Sequence, residues 1–217
     1  MKILFEIFWN TLANYVIFNM VYYVCSGILF VLDYHKCFVE KKIQNQTNHI
    51  DIYKKCLPTV AWNTLICSFV PCLFFGWYQI MELPFDLVKM IIDLILVSFL
   101  SDIFFYTLHR LLHVSFIYKK YHKKHHQIIA PIGLSAVYMT TLDFYLGNIV
   151  PIYLPLCLVG AHSLTVRIWM ILTTINTVVV AHSGFDKLAN FHDKHHSAFN
   201  KNYGTNLFMD RIFGTYE

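Results

Sequence analysis

LVKMIIDLILVSFLSDIFFYTLHRLLH, residues 87–113, decides how the rest of the chain is read. Residues 87–108 form an apolar run of the length that crosses a bilayer, for which about 20 residues are needed. The run ends in His109-Arg-Leu-Leu-His113, two imidazoles four residues apart and so on one helix face. Further along come His122-Lys-Lys-His125-His126 and His192-Asp-Lys-His195-His196. Eight of the twelve histidines lie in these three clusters. At this histidine content a His-x-x-His-His pattern is expected about 0.04 times by chance, and it occurs twice. Neutral imidazole is the commonest protein ligand for transition metals, so the clusters read as a metal site.

The other apolar runs cover roughly 9–32, 59–81, 142–160 and 164–181. Hydrophobic residues make up 57% of the 217 and charged residues 14%, against about 25% charged in a typical soluble domain. This excludes an ordinary soluble protein and predicts an all-α, polytopic membrane helix bundle of about four to five segments under a histidine-rich cap. Pro151 and Pro155 predict a kinked or re-entrant fourth run. The first run has one Lys before it, an early Glu6 and no small-residue cleavage pattern, so it reads as a retained anchor rather than a signal peptide. With no linker or repeat, the chain reads as one unit: residues 1–86 as anchor helices and a basic loop, residues 87–217 as the catalytic part. The six cysteines form no Cys-x-x-Cys pair and read as small apolar residues.

If the five runs alternate, fourteen of the seventeen Lys and Arg residues fall on one side, in 33–58, 109–130 and the C-terminal part. The positive-inside rule makes that side cytosolic. All three clusters and His182 fall on it too. The net charge of +4 calls for anionic headgroups rather than nucleic acid as the partner.

Spacings of three and four let each cluster present two or three imidazoles in one direction. Eight are too many for one ion, so two metals fit better, and His182 brings the count to four or five each. His35, His49 and His162 have no clustered partner; the first two read as solvated and the third as lying on the opposite side. Imidazole alone leaves zinc, iron and copper open, but an all-His pair of sites without Cys favours catalysis over a structural zinc site. Asp102 and Tyr106 lie on one helical stripe with His109 and His113. A carboxylate that deep costs about 2.5–3.5 kcal/mol on insertion scales, so it needs a partner; a bond to a ligand imidazole would supply one, and a structural bond to a Ser or Tyr on a neighbouring helix is the alternative. Asp193, inside the third cluster, is a candidate for the same orienting role. Asp93 reads as structural.

Taken in order, these residues resemble the fatty acid hydroxylase/sterol desaturase superfamily, most closely its C-4 methylsterol oxidase and cholesterol 25-hydroxylase branch. The likeness rests on Asp102-Ile-Phe-Phe-Tyr-Thr-Leu-His109-Arg-Leu-Leu-His113, Tyr118-Lys-Lys-Tyr-His122-Lys-Lys-His125-His126, Ala130-Pro131-Ile-Gly133, His182-Ser183-Gly184-Phe185, Asn202-Tyr203-Gly204 and Asp210-Arg211-Ile212-Phe213-Gly214-Thr215. It covers roughly 95–217. Between Phe185 and His192 the chain has six residues where relatives often have more. The resemblance implies two irons (zinc could substitute), held by His109, His113, His122, His125, His126, His182, His192, His195 and His196. It implies oxygen insertion from O2 into a lipid C–H bond, a sterol first of all. Electrons would come from NAD(P)H through cytochrome b5 and its reductase, in the endoplasmic reticulum membrane. A fatty acyl chain, sphingolipid or aldehyde is the alternative substrate, and a non-catalytic metal-binding scaffold is the alternative of another class.

Overall fold

The computed structural model describes residues 1–44, 49–81 and 84–217. Glu82 and the side chain of His49 lie outside the described residues. Five long helices build the molecule: α1 Lys2–Tyr34, α2 Ile50–Tyr78, α3 Leu87–Leu112, α4 Thr141–Leu158 and α5 Ser163–Ala181. Two shorter ones, α6 Asp186–Ala198 and α7 Phe208–Phe213, complete the cap. Among the described residues there is no strand, only one bridge between Lys42 and Phe185. α1, α2, α4 and α5 are each long and apolar enough to cross a membrane. α3 is 26 residues long and carries Lys89, Asp93 and Asp102.

The helices are inverted relative to a soluble bundle. α1 buries Thr11, Asn14, Ser26 and Asp33 and exposes Ile3, Phe8, Val16 and Ile28. α3 buries Ser101 and Asp102 and exposes Val88, Ile91, Ile95 and Phe99. Lipid tails solvate such apolar faces at no cost, while polar groups must be satisfied inside the bundle.

Caps place the helix starts. The Asp86 carboxylate accepts from Val88 N and Lys89 N at 2.8 and 3.0 Å, and His162 Nδ1 accepts from Leu164 N at 3.1 Å. At this same end Lys89 Nζ donates to Asp93 (2.5 Å) and to the Val159 and Gly160 carbonyls that close α4 (3.2 Å each). Asp93 is thus structural, and His162 is remote from the clusters, as expected. His35 is exposed.

The fourth run is not re-entrant. It forms one continuous span whose Phe144–Ile149 stretch is π-helical, immediately before Pro151. The wider turn accommodates the N–H that Pro151 lacks. Three more π stretches, Trp62–Cys67, Tyr118–His122 and Asn176–Ala181, interrupt the helices, and the last two lead directly into the histidines. Cys56, Cys67 and Cys72 are buried, and all six cysteines are free thiols.

Candidate metal centre

The nine histidines converge at one end of the bundle in two groups. Five, His109, His113, His122, His126 and His195, form one; four, His125, His182, His192 and His196, form the other. Within each group the nitrogens lie within 4.8 Å of one another, and every ring except the partly exposed His113 is buried.

The division cuts across the sequence clusters. His122 and His126 share the five-histidine group, whereas His125 joins the other. His192 and His196 share the four-histidine group, whereas His195 crosses over. Each cluster thus presents two imidazoles in one direction, the lower of the two or three that the spacing allows, and in two clusters the third turns elsewhere. In the α-helix that carries the last cluster, at about 100° per residue, His192 and His196 differ by about 40° while His195 lies about 60° to the other side, and His122–His126 makes the same split where a π turn passes into a 3-10 turn. The i,i+4 pair stays together and the middle imidazole turns to the neighbouring group, which knits the two groups into one centre.

Tautomers follow from the second nitrogen of each ring. His109 Nδ1–H donates to Tyr203 O (2.8 Å), His195 Nδ1–H to Lys201 O (2.7 Å) and His182 Nδ1–H to Thr177 O (2.7 Å). His122 Nδ1–H donates to Asp143 Oδ2 at 2.8 Å. In these four rings Nε2 must carry the lone pair. Yet His109 Nε2 stands 3.1 Å from His122 Nε2, so two lone pairs face each other. The pairs His113–His195, His122–His126, His182–His192 and His192–His196 meet through Nε2 at the same 3.1 Å. Between His109 and His122, whose tautomers are both fixed, the facing lone pairs repel unless a cation lies between them. Two nitrogens bound to one ion at about 2.1 Å are separated by roughly 3.0–3.4 Å, which the spacing matches. The donor set fits a transition metal in each group.

Burial first, then the neighbouring imidazoles, lowers the pKa of His125, His126, His192, His195 and His196. Burial moves His113 down to about 2 and His182 to about 4. These rings are neutral at physiological pH, the form that binds metal.

Asp102 does not reach an imidazole. Its Oδ1 accepts from Thr205 N and Asn206 N, both at 2.7 Å, and its Oδ2 from Met209 N at 3.0 Å. Asp210 in turn accepts from Tyr203 N (2.8 Å) and Gly204 N (2.7 Å). A Cβ on Gly204 would stand 2.6 Å from Asp102 Oδ1, so only glycine fits between the two carboxylates. The pair clamps the tail that offers its Tyr203 carbonyl to His109, so Asp102 acts two bonds away from the ring. The Tyr106 hydroxyl accepts from Arg110 Nη1 (2.7 Å) and its ring stacks on Phe213, again holding the tail. Asp193 accepts from Gln44 Nε2 at 2.6 Å, and burial raises its pKa. None of the three carboxylates and phenols expected to orient a ring bonds to one directly.

The residue that does is Asp143, which the sequence reading passed over. It starts an apolar run, and the argument that singled out Asp102, that such a carboxylate needs a partner, applies to it equally. Gly147 leaves the room it needs: a Cβ there would stand 2.7 Å from Asp143 Oδ1. The backbone carbonyls of Thr177, Lys201 and Tyr203 leave no sequence signal.

A second unforeseen element is the segment after α1. Lys42 Nζ lies 2.8 Å from the buried Asp33, donates to Ser183 O at 2.6 Å and sits 4.0 Å from the centre of the Phe185 ring. Ile43 N donates to Gly184 O (2.9 Å), and Gln44 Nε2 also donates to Ile129 O (3.0 Å). The strap thus binds the turn between His182 and His192 to the end of α1.

Beneath the histidines a cavity of about 280 Å3 opens between α3, α4 and α5. His109 and His122 line it from one group, and His125, His182 and His192 from the other. Phe105, Ile152, Trp169 and Leu172 form its apolar wall.

The fatty acid hydroxylase family model matches residues 94–215, more than half of the sequence. The chain belongs to this family. Its members are oxidative, metal-dependent enzymes of membranes that act on lipids. Fatty acid hydroxylase domain-containing protein 2 of Homo sapiens is 31% identical over 75% of the chain and 51% of that protein. Very-long-chain aldehyde decarbonylase GL1-11 of Oryza sativa subsp. indica is 27% identical over 94% of the chain and 85% of its own length. Methylsterol monooxygenase 2-2 of Arabidopsis thaliana is 28% identical, over 94% and 84% respectively. The chain spans about half the length of the human relative. No solved structure matches it.

Proposed function

We propose that this protein is a membrane-bound di-iron oxygenase that hydroxylates a lipid, or oxidises a methyl group of one, with a sterol as the leading substrate. The observation that carries this reading is the meeting of nine imidazoles, four of them fixed with the Nε2 lone pair turned inward, at the head of a cavity that runs between the membrane helices. The nine histidines are the proposed ligands, and residues 87–217 the catalytic part to which 1–86 adds anchor and strap. Bound iron would supply the redox chemistry that joins oxygen from O2 to an unactivated carbon. The chain's own residues orient the rings through Asp143 and the tail carbonyls, keep them unprotonated by burial, and exclude water with an apolar wall. Electrons derived from NAD(P)H, delivered by cytochrome b5 and its reductase, complete the stoichiometry.

The Lys-rich connections, read by the positive-inside rule, support a cytosolic cap, and the family resemblance supports the endoplasmic reticulum as the membrane. The relative named an aldehyde decarbonylase matches along nearly the whole chain, which makes a long-chain aldehyde or acyl lipid the second reading. Lipid profiles of cells expressing the protein or its His125→Ala variant test both. A sterol oxidised only by the unaltered chain supports the first, an oxidised acyl lipid supports the second, and identical profiles, repeated with purified, iron-loaded, reduced protein, overturn catalysis.

A further inference from the structure

The cavity under the histidines is not uniformly apolar. Three side-chain amides are set into its wall: Asn206, whose Nδ2 donates to Ser98, and Asn148 and Asn176. Asn148 Nδ2 finds only the sulfur of Met139, at 3.2 Å, a weak acceptor. Its Oδ1 and the whole amide of Asn176 have no hydrogen-bond partner among the described residues. Both lie on helices that span the membrane by length and composition. A free amide at that depth is unfavourable, because neither lipid nor the apolar wall can bond to it. Elsewhere in the wall Ser98 accepts from Asn206, the Thr173 hydroxyl donates to Trp169 O and the Thr205 hydroxyl to Asp102, while the Thr177 hydroxyl, next to Asn176, has no hydrogen-bond partner among the described residues.

Their placement relative to the histidines is specific. Asn148 lies on the π stretch that follows Asp143, the carboxylate bonded to His122 of the five-histidine group. Asn176 opens the π stretch whose next residue, Thr177, accepts from His182 of the four-histidine group. One amide therefore lies on the stretch of backbone that orients a ring of each group. A substrate oxygen bonded to the amides and a carbon facing the histidines must both lie within this one cavity of about 280 Å3, which the histidines also line.

We propose that Asn148 and Asn176 form a polar subsite that receives a hydroxyl or carbonyl oxygen of the lipid, so that the carbon presented to the histidines lies close to that oxygen. An amide offers both the N–H that a carbonyl needs and the C=O that a hydroxyl needs, which suits either group. The proposal selects an oxygen-bearing end of the lipid over a plain hydrocarbon end. It rests on the reading that the cavity receives the lipid substrate.

The test is binding without turnover. The metal-loaded, unreduced full chain in nanodiscs is titrated with radiolabelled hexadecan-1-ol, hexadecanal and hexadecane at matched mole fraction in the bilayer. The alcohol and the aldehyde are expected to bind roughly tenfold more tightly than the alkane, the advantage of a satisfied hydrogen bond in a low-dielectric site. N148L and N176L should each reduce the preference, and the double variant should abolish it with bound metal unchanged. Equal binding of the three probes by the unaltered protein, or a preference that survives both substitutions, overturns the subsite. If the double variant loses metal, the unaltered protein and the single variants still decide. Failure here with metal bound and lipid oxidised would leave the oxygenase reading intact, whereas absence of lipid oxidation would count against that reading and not against the subsite.

Discussion

The two histidine groups are equal in reach and unequal in support. In the five-histidine group three rings have their second nitrogen fixed: His109 by Tyr203 O, His195 by Lys201 O and His122 by the Asp143 carboxylate. In the four-histidine group His182 is fixed in this way, by Thr177 O, while among the described residues the buried Nδ1 of His196, like that of His126 in the first group, has no partner. The first group is held by hydrogen bonds to its own rings. The second is held from outside, by the strap of Lys42 and Gln44 across the turn before α6 and on Asp193 within it. The difference teaches that one centre can be built by two routes, one orienting each ring and the other immobilising the backbone that carries them. The first group should bind its metal more tightly.

The largest test of that asymmetry removes a ring from either side. His122→Ala and His192→Ala should each lower bound metal from two ions to one per chain and bring oxidation to background, as read by elemental analysis and product assay. Loss of both ions from either variant would show the groups to be a single unit.

Next comes the strap. Lys42→Met leaves the buried Asp33 without a counter-charge, with the Tyr53 hydroxyl as its remaining donor, and should cost about 3–5 kcal/mol in denaturant unfolding. Metal should be lost from the four-histidine group alone. Lys42→Arg should restore both, and adding Asp33→Asn to Lys42→Met should recover stability but not metal. An unchanged metal content would reduce the strap to a fold element.

Asp143→Asn acts on the other group. Losing the carboxylate behind His122 should weaken that group's metal by about 10–100-fold. In the unaltered chain a chelator should strip the four-histidine group first; in the variant the order should blur or reverse. Stopped-flow chelation resolves the two phases.

The smallest effect is on pH. The capping histidines have folded pKa values below the ordinary value of about 6.5, so the unfolded chain binds more protons as pH falls. Stability of the metal-free protein should therefore decline below pH 6.5, and the contribution of His182 should level off at about 4. His182→Gln should make the decline shallower; a melting temperature flat from pH 7 to 4 would contradict burial of these rings.

Much of this was legible in the sequence. The five apolar runs became the five long helices because a 20-residue apolar stretch has no other way to satisfy its backbone in lipid. The nine histidines came together because alternation returns residues 109, 122, 182 and 192 to one end. The roles of Asp102, Tyr106 and Asp193 were less legible: helical spacing puts a side chain on a face but does not say what packs against it. The tail 202–215 folds back onto α3 and takes up Asp102 and Tyr106. Gln44 comes from outside the matched region and takes up Asp193.

Sequence by itself determined the solvent and the donors, namely a chain made for a bilayer with imidazoles gathered at one of its faces. Hydropathy and residue chemistry are local properties, carried by each segment wherever it goes. Only the tertiary structure decided that adjacent histidines such as His125 and His126 serve different groups, which oxygen fixes each ring, and that Lys42 closes the cap. Those outcomes depend on turns of about 100° per residue and on contacts between segments more than a hundred residues apart, which no single stretch of the chain encodes.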